Sequence, residues 1–118
     1  MYKLIILIGP VANSPTFGDE WPQFLHNVES MPGLLREAPV RIQTPLYGDS
    51  EITMIHELFF ETPEALHHAL ASPYGQAAGE TLQKITHGQM NLLIAEHKED
   101  SIENLRSYRK DTSHVNTE

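Results

Sequence analysis

The chain has no cysteine among its 118 residues, which excludes disulfides, thiolate zinc centres and cysteine nucleophiles. Basic residues are also scarce: 8 Lys+Arg stand against 16 Asp+Glu, a formal charge of -8 with histidine neutral. A field of that sign repels nucleic-acid phosphates and anionic lipid headgroups, so neither nucleic acid nor a membrane is expected as a partner. No apolar run approaches the ~20 residues of a spanning helix. The amino-terminal run Leu4 to Ile8 ends at Gly9-Pro10 and is too short for a signal peptide, so a soluble cytoplasmic protein is expected. Phosphate-loop, dinucleotide-fingerprint, nucleophile-elbow and HExxH patterns are missing, which removes the common nucleotide, hydrolase and zinc-protease readings.

What is present suits one globular domain: 40% apolar and 20% charged residues over a length that can bury a real core. Tyr2 to Ile8 is apolar apart from Lys3 and reads as a buried strand. Gly9 to Thr16 has loop chemistry. Phe17, Trp21, Phe24, Leu25 and Val28 form one helical stripe, and Pro22 in a first turn would start that helix near Asp19. Val40 to Gln43 alternates as a short strand, and Ile52 to Phe60 as a longer one. On that strand Ile52, Met54, His56, Leu58 and Phe60 share one face, while Thr53, Ile55, Glu57 and Phe59 share the other. Thr62-Pro63 and Ser72-Pro73 are cap-then-proline signals opening two consecutive helical pieces that end at Gly88. Met90 to Ala95 is the last strand. The order β-α-β-β-α-β predicts an α+β, ferredoxin-like βαββαβ fold with a four-stranded antiparallel sheet. Both helices should cover one sheet face, and the apolar character of the other face predicts a homodimer. Residues 1–97 form the expected domain and 98–118 a polar tail, partly helical (Ser101 to Arg109) or disordered.

The stretch Glu57-Leu58-Phe59-Phe60-Glu61-Thr62-Pro63-Glu64-Ala65-Leu66, followed by Ala69 to Ala78 with Ser72-Pro73-Tyr74-Gly75-Gln76-Ala77, resembles the EthD-like family. The Lys3 to Ile8 strand, Pro32-Gly33-Leu34 and the Leu92 to Glu96 strand also fall where that family would put them. The resemblance implies a dimeric α+β barrel in which two sheets enclose a cleft. Relatives of that architecture include muconolactone-type isomerases, cofactor-independent oxygenases of polycyclic ketones and haem-degrading enzymes. Many EthD-like chains carry, after the first strand, an aromatic-rich helix ending in a His-x-Pro-like segment. This one has Trp21 to His26 and then Met31-Pro32-Gly33, so no catalytic histidine is carried over to His26.

The residues leave three classes open. One is a cofactor-independent oxygenase or isomerase acting on a small apolar ketone, lactone or phenolic molecule in the barrel cleft. Another is a non-catalytic binder or accessory protein using the same pocket. The third is a haem handler needing His26, His56 or His67 as axial ligand. No metal and no cofactor are expected. His56, on an apolar strand face, and Glu57, on the opposite face, are the candidate catalytic groups, since imidazole exchanges protons near neutral pH and a carboxylate can act as a base. Strand neighbours point opposite ways, so at most one faces the cleft. Their structural alternatives are a buried, hydrogen-bonded histidine and an ion pair of Glu57 with Arg36 or Arg41. Tyr47, Trp21 and Phe59 are candidate ligand contacts, or else packing aromatics. Glu64-x-x-His67 has a metal-ligand spacing but no second half to complete it, which favours a solvated helix face.

Overall fold

The structure, a computed structural model, describes residues 1–103; the expectations for the tail beyond that point lie outside the described residues. Four strands, β1 (Tyr2–Ile8), β2 (Arg36–Arg41), β3 (Met54–Phe60) and β4 (Met90–Glu96), alternate with helices α1 (Pro15–Glu29), α2 (Pro63–Ala71) and α3 (Pro73–Thr86). The strands form one antiparallel sheet in the order β2-β3-β1-β4. This is the α+β, ferredoxin-like arrangement that the element order predicts.

The pleat sorts side chains by parity. Leu4, Ile6 and Ile8 of β1 pair with Leu58, His56 and Met54 of β3, and all six are buried beneath the helices. Phe24 and Val28 of α1, Leu66 and Ala69 of α2, and Ala78, Leu82 and Ile85 of α3 complete that core. Ile5, Leu7, Ile55 and Glu57 belong to the opposite face, which α1, α2 and α3 leave uncovered, and are only half-buried.

Strand β3 begins at Met54 rather than Ile52, and two further elements begin four residues from the sequence reading, each for a local reason. Helix α1 begins at Pro15 rather than near Asp19, because Ser14 caps it by accepting a hydrogen bond from the Phe17 N–H at 3.2 Å. Ser14-Pro15 is thus a third copy of the signal at Thr62-Pro63 and Ser72-Pro73, where the cap hydroxyls accept from Ala65 and Gly75. Pro22 therefore stands inside α1, where it has no N–H for the Gly18 carbonyl. Strand β2 runs over residues 36–41, earlier than the expected 40–43. It contains Pro39, which a central strand would not admit, but β2 is an edge strand.

The junction of α2 and α3 explains one motif glycine. A Cβ on Gly75 would collide with the carbonyl oxygens of Ala69 and Leu70, so the chain can turn sharply after Ser72 only with glycine there.

Candidate functional site

His56 sits at the middle of β3 on the helix-covered face and is 2% exposed. Its Nε2 lies 2.9 Å from Oε2 of Glu37. Glu37 comes from β2, where it pairs with Leu58, so it is the diagonal neighbour of His56 on the same face. The carboxylate is half-buried at the sheet edge, 24% exposed. A carboxylate only accepts, so Nε2 carries the hydrogen of this bond. The other ring nitrogen, Nδ1, is buried without a hydrogen-bond partner, the only buried side-chain polar atom so placed among the described residues. Leaving such an atom unpaired costs about 1–3 kcal/mol.

Aromatic rings from α1 enclose the imidazole. Phe17, Trp21 and Phe24 recur at spacings of four and three, which puts them on one helix face. Trp21 stacks on Phe17 at 5.0 Å and on Phe24 at 4.7 Å between centroids. Both Trp21 and Phe24 meet His56 edge-on, at 5.4 and 6.2 Å. Phe24 also lines a small apolar cavity of about 50 Å³ bounded by Leu4, Ile6, Leu58, Leu82 and Leu92. Larger surface hollows, of about 370 and 540 Å³, lie by Leu7, Glu51 and Asn91 and by Pro32, His68 and Tyr74. Neither reaches His56. Volume alone therefore points away from the one place where an unpaired polar atom, a carboxylate and a row of aromatics converge.

The remaining candidates are separated from His56 by the sheet or by distance along the chain. Glu57 faces the uncovered side and pairs with Nζ of Lys3 at 2.7 Å, not with Arg36 or Arg41. Arg36 instead lies over the Phe59 ring at 4.1 Å and bonds Glu99 at 3.2 Å, and Arg41 is in register with Met54 on the helix side. Phe59 shares the uncovered face with Glu57 yet is 2% exposed. Arg36, Lys3 (5.4 Å) and His97 (edge-on, 5.0 Å) crowd over it. Tyr47 and its neighbour Leu46, in the connection between β2 and β3, are 99% and 100% exposed. His26, His67 and His68 are exposed on their helices. Among the described residues no three His, Asp or Glu side chains gather as a metal site would need, and no helix is long and apolar enough to cross a membrane.

The structure thus brings Trp21 and His56 together, puts Glu57 and Phe59 on the other face, and leaves Tyr47 apart. It adds Glu37, Phe24 and Phe17 to the His56 side and Lys3 to the Glu57 side. Glu37 lies outside the strand over 40–43 that the sequence predicts, and it is the register of β2 on β3 that puts Glu37 and His56 on one face.

A single antiparallel sheet of order β2-β3-β1-β4 with helices on one side defines a ferredoxin-like α+β fold. No family model and no curated protein matches the sequence, but solved structures match the fold. An EthD (ethyl tert-butyl ether D) family protein of Bacillus halodurans is 25% identical, with 83% of this chain and 99% of that one covered and a TM-score of 0.74. A dimeric ferredoxin-like protein of unknown function from Jannaschia is 16% identical, covering 81% and 97%, at 0.64. A cofactor-independent oxygenase from Streptomyces nogalater is 14% identical, covering 86% and 93%, at 0.55. In fold the chain is similar to that EthD family protein.

Proposed function

We propose that this chain forms a homodimer that binds a small apolar ketone, lactone or phenol between α1 and the sheet of each protomer, with His56 as the acid–base group. The observation that carries the reading is the buried, unpaired Nδ1 of His56, in a ring that Trp21 and Phe24 meet edge-on. A core histidine kept only for packing would bond both nitrogens or be replaced by an apolar residue, because an orphaned buried acceptor destabilises the fold. Glu37 orients the ring through Nε2, as the carboxylate of a catalytic triad orients its histidine through the other nitrogen. Cofactor-independent oxygenation and isomerisation both begin with removal of a proton from a phenol or from carbon beside a carbonyl, a task within reach of such a pair. The homodimer reading rests on the uncovered face, where Ile5, Leu7, Ile55, Val40 and Leu93 form an apolar patch, and on the dimeric likeness from Jannaschia.

Trp21 is the only tryptophan and touches His56, so its emission reports on the site directly. Titration with apolar ketones, lactones and phenols should change that emission saturably. The response should disappear in His56→Phe and persist in Glu57→Ala. Loss in Glu57→Ala with retention in His56→Phe would move the site to the uncovered face and overturn the reading.

A further inference from the structure

We infer that the ligand of the His56 site is a planar ring bearing a hydroxyl, a phenol or the enol form of a cyclic ketone, which docks by displacing Trp21 and donates its O–H to Nδ1 of His56. The inference rests on the site reading above and narrows its three ligand classes to one. Glu37 fixes the choice. Its carboxylate can only accept, so the Nε2 position is held as N–H. In the neutral ring Nδ1 is then a bare lone pair, an acceptor with nothing to accept. A ketone or a lactone carries acceptors only and would set one lone pair against another. A hydroxyl supplies the missing donor. Sites built to hydrogen-bond a hydroxyl discriminate strongly against analogues that lack it, because the buried partner is left unpaired.

The walls of the site fit a ring. Phe17, Trp21 and Phe24 form a continuous stack with centroid spacings of 5.0 and 4.7 Å, and a planar ligand taking the Trp21 place keeps that stacking. Of the two rings against His56, Phe24 belongs to the core at 2% exposure, whereas Trp21 is only half-buried. Trp21 is therefore the ring that can leave at least cost. Its neighbour Pro22 breaks the hydrogen-bond ladder of α1 at Gly18, which places the weakest turn of the helix at the residue that must move. Proton transfer in this arrangement is balanced within the site. The ligand O–H bond breaks, an N–H bond forms at Nδ1, and the imidazolium stays against the Glu37 carboxylate while the phenolate remains in the aromatic slot.

The test uses calorimetric titration of the full chain with para-ethylphenol, its methyl ether and para-ethylacetophenone, all similar in shape. The phenol should bind about ten- to a hundredfold more tightly than the ether or the ketone, as expected for one satisfied buried acceptor. That preference should vanish in His56→Phe. Nitrogen-15 imidazole spectra of the wild-type chain give an independent reading that needs no variant. They should show His56 as the Nε2–H tautomer, with the Nδ1 resonance moving when the phenol, but not the ether, is added. Equal binding of all three compounds, or an Nδ1–H tautomer in the free chain, would overturn the hydroxyl inference and leave the site reading standing. Absence of any binding and of any change in Trp21 emission would overturn both.

Discussion

The two faces of the sheet each hold a histidine or lysine paired with a glutamate, yet the pairs have opposite surroundings. On the helix side, His56 and Glu37 lie under aromatic rings, with one ring nitrogen left unbonded. On the uncovered side, Lys3–Glu57, Arg36–Glu99 and His97–Glu99 form a run of ion pairs around Phe59, each of which has its partner and stands at least partly in solvent. Residues 97–99 even return from β4 at one edge of the sheet towards β2 at the other, carrying His97 onto Phe59 and Glu99 to Arg36. The uncovered face is thus divided between a charged end, closed by this chain's own residues, and a half-buried apolar end around Ile5, Leu7 and Ile55. A satisfied exposed cluster maintains structure and has nothing left to offer a ligand. An unsatisfied buried one has an unpaired hydrogen-bonding atom to offer, and the proposed role of His56 rests on that contrast.

Substitutions on the two faces should separate folding from association, and this is the largest expected effect. Leu58→Ala removes a buried side chain from the helix-covered core and should cost about 2–5 kcal/mol in chemical denaturation without changing the dimer's stoichiometry. Ile55→Asp, three residues away on the other face, should leave a folded chain whose mass by light scattering is that of one protomer. If Ile55→Asp stays dimeric, the partner does not dock on the apolar end of the sheet.

A smaller effect is expected at the site itself. His56→Phe exchanges a ring of similar volume and removes the unpaired nitrogen, while Glu37, at the sheet edge, regains water. Stability should therefore change by no more than about 1 kcal/mol, with a rise as plausible physically as a fall, although ligand response is lost. A loss of several kcal/mol would show that the His56–Glu37 bond is a structural tie and remove the argument from Nδ1.

How far the residues announce these two regions follows from the range of each signal. Period-two alternation in residues 52–60 separates His56 from Glu57 without any knowledge of tertiary structure, and the cap-proline pairs fix α2 and α3, because both signals are local. The Glu37–His56 and Lys3–Glu57 contacts are set by register between strands 19 and 54 residues apart in sequence, which no local pattern encodes. Pro39 compounds the difficulty, since it argues against a strand until β2 is known to lie at an edge. The covering of Phe59 was illegible for the same reason: it depends on where residues 97–99 go after β4.

The smallest expected effect lies at the charged end. His97, by hydrogen bond and then by charge, and Arg36 in the same two ways, hold the Glu99 carboxyl below its ordinary value of 4.5. A carboxyl whose folded pKa is depressed adds stability that is fully present above the unfolded value and is lost as pH falls through the folded one. The contribution of this tie should therefore be intact above the ordinary carboxyl value of 4.5 and be lost as pH falls through the depressed folded value, and Glu99→Gln should flatten that part of the profile while leaving the neutral-pH thermal midpoint nearly unchanged. Full exposure to solvent and salt keeps the effect slight. The more direct readout is the Glu99 carboxyl carbon followed by NMR, which should titrate below the ordinary carboxyl value of 4.5 and move back towards it in Arg36→Ala. Titration of Glu99 at its ordinary value in the wild-type chain would mean that residues 97–99 do not hold the Phe59 end of the sheet in solution, and the division of the uncovered face into a closed end and an open one would fall with it.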